Sequence, residues 1–209
     1  KQLSIWPWTD LVSYVMRYCR PTGSHEKILE IGCGPGANIP FFKNLGVQYF
    51  AVDGSEEIVA YLKTTYPLLD GHLAVADFTN EIPFADQFDL VVDRASLTHN
   101  RTSDIVRAVS ILFEKIKPGG AFIGIDWFST AHSEFSKGPK IVDEFTRTGY
   151  ECGQFSKLGN VHFSNKDHLY EIFSQFEFEI IEHKIIDQET PEQGKRFASW
   201  NFIARKPLN

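Results

Sequence analysis

Apolar residues recur along this chain in short blocks closed by an acid or a glycine. The blocks are Ile28–Ile31, Tyr49–Asp53, Leu73–Phe78, Phe88–Asp93 and Ala121–Asp126. Between them run segments whose apolar residues return at helical spacing. This alternation predicts an α/β chain built on a doubly wound, Rossmann-like, mostly parallel sheet. Ahead of the first block, Trp6 to Arg20 reads as an aromatic-rich helix with Leu11, Val12, Val15 and Met16 on one face, broken by Pro21-Thr22-Gly23. A helix follows Gly36 through Leu45, with Gly46 placed to cap its end. Ser55 is placed to cap the next helix, with Glu56 and Glu57 in its first turn. Ser103-Asp104 opens another, whose Ile105, Val106, Val109, Leu112, Phe113 and Ile116 are expected to face the sheet. Ser164-Asn165-Lys166-Asp167 reads as a capping box before a helix over 165–176. Two strands, Phe178–Asp187 and Arg196–Lys206, close the chain around a polar turn with Pro191 and Gly194.

The first block runs straight into Gly32-Cys33-Gly34-Pro35-Gly36. Glycines there allow positive φ and a close backbone approach to a ligand. The helix that follows offers free N–H donors to anionic groups. A nucleotide-like ligand at the carboxyl edge of the sheet is the expectation. Gly32, Gly34 and Ala37 also satisfy the loose dinucleotide fingerprint, which leaves a nicotinamide oxidoreductase open as the alternative reading.

The stretch Glu30–Gly36 resembles the first motif of class I S-adenosylmethionine-dependent methyltransferases, E/D-x-G-x-G-x-G. Further blocks match that family in order over roughly 25–127. The resemblance implies that Glu30, Gly32, Cys33, Gly34 and Gly36 cradle the amino-acid end of S-adenosylmethionine. It implies that Asp53, with Gly54 and Ser55 behind it, accepts from both ribose hydroxyls. Asp77 and the backbone of Phe78 would read adenine, and Asp93 and Arg94 would close the fourth strand against the cofactor. Arg94–Asn100 matches the family's substrate-facing turn, and Lys117-Pro118-Gly119-Gly120 its late Pro-Gly-Gly turn. The family further implies an antiparallel final strand. In this chain that strand is Arg196–Lys206, expected beside the fifth or sixth strand. Residues 1–22 and 128–163 are expected to wall the substrate pocket as an N-terminal helical segment and an inserted lid of one 1–209 domain.

The chain has 209 residues, 43% of them hydrophobic, enough for one core. No run of about 18 apolar residues suggests a membrane span. Lys1-Gln2-Leu3 begins no basic-then-apolar leader, and the missing Met implies residues before Lys1. Cys19, Cys33 and Cys152 are too few and scattered for a disulfide framework or zinc site, so the cytoplasm is the expected compartment. Cys33 is expected to be small and buried rather than a nucleophile. A net charge of −6 disfavours broad contact with a nucleic-acid backbone and favours a small-molecule substrate.

Methyl transfer from a sulfonium is an in-line displacement, so positioning carries much of the catalysis. An incoming O–H or N–H⁺ still needs a base. His99, after the fourth strand, is the first candidate, since its ordinary pKa suits proton transfer near neutrality. A histidine that bonds backbone or packs under the lid is the competing reading. Asp126, ending the fifth strand, is the second candidate, as substrate orienter. His132 and His162 are weaker loop candidates. The Trp6/Trp8 pair either stacks a substrate ring or staples the N-terminal segment to the core. No Asn/Asp-Pro-Pro-Tyr run or Pro-Cys pair marks base methylation, and no compact cluster marks a metal site. A scaffold that binds cofactor without transferring methyl is the remaining alternative.

Overall fold

Central strands bury apolar side chains on both faces, and this dictates the layered arrangement of the computed structural model, which describes residues 4–189 and 194–208. The strands β1 (Lys27–Ile31), β2 (Gln48–Asp53), β3 (Leu73–Val75), β4 (Phe88–Arg94) and β5 (Ile116–Phe128) are parallel. With β9 (Glu177–Gln188) and β10 (Lys195–Arg205) they form one sheet in the order β3-β2-β1-β4-β5-β10-β9. The last strand lies antiparallel between β5 and β9, as expected. Pro191, assigned to the preceding turn, lies outside the described residues.

Each central strand feeds two cores. Leu29, Val91, Phe122 and Phe202 point toward α4 (Thr102–Lys115) and α5 (Lys166–Ile172). Ile28, Val92, Ile123 and Ile203 point toward α1 (Thr9–Tyr14), α2 (Ile39–Leu45) and α3 (Glu56–Thr65). Near-continuous apolar strands are the signature of a sheet covered on both sides.

Several boundaries differ from the sequence reading, each for a local reason. The first helix is shorter than 6–20. It ends at Tyr14, continues as a π-turn over Val15–Cys19, and stops at Arg20 with φ of 45°. The wider turn rotates the helix face. Leu11, Tyr14 and Val15 are therefore buried, while Met16 is 42% exposed. The third strand ends at Val75 because the Asp77 carbonyl accepts from the Asn80 and Glu81 amides in a turn. On α4, Ala108 takes a core place assigned to Val106, which faces solvent, and Ile116 already belongs to β5. Asn165, not Ser164, caps α5 by accepting from the His168 amide at 2.8 Å, and the helix ends at Ile172 rather than 176. Gly46 and Ser55 cap α2 and α3 as expected.

Residues 128–163 build a small antiparallel sheet of β6 (Lys140–Ile141), β7 (Thr146–Thr148) and β8 (Val161–His162). Phe128, Tyr150, Phe155 and Phe163 pack beneath it as a separate aromatic cluster. His162 is buried within this unit, between the Thr146 hydroxyl at 3.0 Å and the Ser164 hydroxyl at 3.1 Å. Burial holds its pKa down at about 3. His132, also buried, accepts from the Glu134 amide through Nδ1 at 3.0 Å and lies 2.9 Å from the Gln154 amide nitrogen. Both histidines tie this segment together.

Candidate active site

The glycine turn leaves β1 and folds back on β2, where the Gly32 and Cys33 amides both donate to the Val52 carbonyl. Gly32, Gly34 and Gly36 all have positive φ, at 62°, 51° and 81°. Gly32 and Gly34 are glycines for different reasons. A Cβ on Gly32 would collide with Ser96, whereas one on Gly34 would meet no atom within 4 Å. Gly32 thus lets the turn after β4 close against the turn after β1. Gly34 faces open space.

The acids at the strand ends divide by task. Asp53 is partly buried and clamps the turn, accepting from the Gly34 amide at 2.8 Å and the Ser55 amide at 2.9 Å. A carboxylate has about four acceptor positions, so two remain. Gly54, beside it, also has no atom within 4 Å of its Cβ direction. Glu30 is only 4% exposed and accepts from the Tyr49 hydroxyl at 2.6 Å and the Asn38 amide at 2.8 Å. Burial pushes its pKa up to about 7, with the Asp93 and Asp53 charges adding to the rise. Its two oxygens shape the turn from beneath.

Asp93 departs from the expectation of a cofactor contact. Its side chain is wholly buried and accepts from the Ser96 amide at 2.9 Å, the Ser96 hydroxyl and the Leu97 amide. Desolvation raises its pKa to about 6. It therefore holds the 94–100 turn from inside the core. Asp77 is exposed and bonded to Thr79 and Asn80, which hold its pKa below the usual carboxylate range. Like Asp53, it does not line the cavity formed by the glycine turn, whereas Phe78 packs on the core close to Gly32.

That cavity, of about 170 Å³, brings together Glu30, Gly32, Cys33, Gly34 and Arg94 from the sequence reading, and adds Trp8 and Asn38. The Trp8 amide donates to the Asn38 side chain at 3.2 Å. The Trp8 ring lies under the Arg94 guanidinium, 3.5 Å from its centroid, while Trp6 is 76% exposed. Of the pair, Trp8 alone reaches the site. Asn38 gave no sequence signal beyond a polar residue opening α2. A larger cavity of about 280 Å³ lies at the opposite end of the strands. Its Lys117 pairs with Asp89 and its Arg205 with Glu179.

Arg94 donates to Asp126 at 3.0 Å. Asp126 has φ of 56°, and its amide donates to the Asn201 side chain at 2.8 Å. Lys184 approaches Asp126 at 3.9 Å and pairs with Asp10 of α1 at 2.5 Å, and Asn201 also donates to Asp10. Asp10, Lys184 and Asn201 escaped the sequence reading because they lie on strands and a helix otherwise read for their apolar faces. His99 is partly buried, its ring edge-on to Phe128 and its Nδ1 3.3 Å from the Asn160 carbonyl. A carbonyl only accepts, so Nδ1 carries the proton and Nε2 the lone pair. Burial lowers the pKa and keeps the ring neutral at pH 7.

Residues 28–120 match the family model described as a methyltransferase domain. Over those residues the chain carries a methyltransferase domain. No curated protein sequence matches it significantly. Solved methyltransferases share its fold at low identity. One, from Methanosarcina mazei, is 19% identical with a TM-score of 0.74, covering 98% of this chain and 100% of its own. Another, from Clostridium acetobutylicum, is 14% identical with a TM-score of 0.69, covering 96% and 92%. The magnesium protoporphyrin IX methyltransferase of Synechocystis, solved with bound S-adenosylhomocysteine, is 15% identical with a TM-score of 0.61, covering 94% and 80%. Among the described residues of this methyltransferase, no helix is long and apolar enough to cross a membrane.

The two glycines make opposite predictions. In this methyltransferase Gly32→Ala is expected to cost about 1–3 kcal/mol through overpacking against Ser96, before any penalty for positive φ. Thermal melting should fall by roughly 2–4 °C per kcal/mol. Gly34→Ala bears only the local φ penalty, so it should melt closer to the parent. Equal melting losses would refute this division.

Proposed function

We propose that this methyltransferase moves the methyl group of S-adenosylmethionine to an oxygen or nitrogen nucleophile of a small molecule. The observation that carries the cofactor reading is the open cradle at Gly34 and Gly54 around Asp53, whose carboxylate keeps two acceptor positions. Asp53 would accept from the ribose hydroxyls, and the turn 32–36 would take the amino-acid end. When bound, the cofactor supplies an electrophilic methyl on a sulfonium. The chain supplies position and a base: Asp53 orients the ribose, the 94–100 turn presents His99, and His99 Nε2 takes the acceptor's proton.

Residues 4–22 and 128–163 are read as the two walls of the acceptor pocket, with the whole chain acting as one unit. Trp8 reaches Arg94 from one wall, and Asn160 reaches His99 from the other. A net charge of −6 supports a small acceptor over a nucleic acid. The Synechocystis neighbour acts on magnesium protoporphyrin IX, itself a small molecule. The cysteines Cys19, Cys33 and Cys152 are all free, in keeping with a reducing compartment such as the cytoplasm.

Calorimetry with S-adenosylmethionine and with NAD tests the cofactor. Binding of the first alone is expected. Asp53→Ala should weaken it at least about tenfold, since each hydrogen bond to a charged acceptor is worth about 1.5–3 kcal/mol. Asp53→Asn, which keeps one acceptor, should fall between. Unchanged affinity in Asp53→Ala sinks the assignment. Turnover in a screen of methyl acceptors separates an enzyme from a cofactor-binding scaffold.

A further inference from the structure

We propose that Arg94 reads the α-carboxylate at the amino-acid end of the cofactor, and that Trp8 holds the guanidinium in position for it. The inference rests on the cofactor reading above. Arg94 supplies the one cationic side chain among the described residues lining the glycine-turn cavity. A guanidinium has five N–H donors, and among the described residues only one finds an acceptor, the bond from Nη2 to Asp126. Its Nε is buried without a partner. The acid of the cavity, Glu30, makes no bond to Arg94 and accepts instead from Tyr49 and Asn38.

Arg–carboxylate pairs are frequently two-pronged. Here Asp126 engages one prong, and Arg94, its side chain 32% exposed, lines the cavity. Ala95 and Asp126, next to Arg94 and at the far end of β5, both have φ of 56°, a conformation that non-glycine residues adopt under strain. Trp8 completes the clamp. Its ring centroid lies 3.5 Å from the guanidinium carbon, and its amide is pinned to Asn38 at the start of α2. Stacking on an aromatic face restrains the fork without using any N–H donor. A planar cation with free, fixed donors beside a glycine turn is matched to a carboxylate.

The test compares S-adenosylhomocysteine with 5′-methylthioadenosine, which shares the adenosine and thioether but lacks the amino-acid end. Calorimetry is run with both on the parent, Arg94→Gln, Arg94→Lys, Trp8→Ala and Trp8→Phe. Arg94→Gln should weaken S-adenosylhomocysteine at least about tenfold and change methylthioadenosine by less than about twofold. Arg94→Lys, which keeps the charge but loses the fork, should fall between. Trp8→Ala should give a smaller selective loss that Trp8→Phe restores. Methylthioadenosine affinity reports folding in the same experiment. Equal losses for both ligands, or no loss for either, overturn the role of Arg94. A selective Arg94 loss without a Trp8 effect overturns the positioning role. A parent that binds neither ligand overturns the cofactor reading, and this inference with it.

Discussion

His99→Ala is expected to slow methyl transfer by about 10²–10⁴-fold while cofactor affinity stays nearly constant. The tautomer set by the Asn160 carbonyl puts the lone pair on Nε2, the form a general base requires. Burial lowers the pKa, so the base form is already present at pH values where a free histidine is still protonated. The ascending limb of the rate profile should therefore lie below the ordinary value of about 6.5 and vanish in His99→Ala. The same sign applies to stability. The unfolded chain takes up this proton first, so the stability tied to the neutral ring is complete above about pH 6.5 and is lost as the pH falls below it. A His99 that merely ties the 94–100 turn to Asn160 would lower the melting temperature and leave the rate of the folded fraction intact. Measuring both on one preparation decides the matter. An acceptor that is a thiol or a neutral amine needs no base and would remove the effect without touching the cofactor assignment.

Phe202→Ala is expected to cost about 3–5 kcal/mol, or a fall in melting temperature of roughly 6–20 °C. Phe202 is fully buried and packs against the rings of Phe122, Trp127, Phe173 and Phe178. Its ring also covers Gly124 of β5, where a side chain would collide with it. Removing 196–209 goes further. It takes β10 from between β5 and the edge strand β9, strips β5 of its ladder on one side, and detaches β9 from the rest. Loss of the cooperative thermal transition is the expected result. A truncated protein that melts like the parent would refute the central role of β10.

The legible parts of this chain are those where neighbours in sequence do the work. Apolar blocks marked the strands, Gly46 and Ser55 marked helix ends, and the glycine turn marked the site. The errors are equally local in origin. The π-turn after Tyr14 rotated the first helix face, and the Asp77 turn cut β3 short. Neither leaves a trace in hydrophobic periodicity, because a turn of different pitch uses the same kinds of residues.

Asp93 illustrates the harder limit. Asp53, Asp77 and Asp93 each stand at or just past the end of an apolar block and look alike in sequence, yet among them Asp53 bonds the glycine turn. Asp77 caps an exposed turn, and Asp93 is sealed in the core by Ser96 and Leu97. Burial decides between them, and burial is a sum over contacts from the whole fold.

By itself the sequence determined the strand–helix alternation and the glycine turn, and the antiparallel ending followed from the family resemblance. The first two depend on φ preferences, on side-chain periodicity and on partners close along the chain. Only the tertiary structure decided that Trp8 stacks on Arg94, that Arg94 meets Asp126, and that Lys184 pairs with Asp10 across 174 positions. The physical reason is that a charged or aromatic side chain carries no record of its partner. Its pairing is set by which strand ends the sheet order brings side by side.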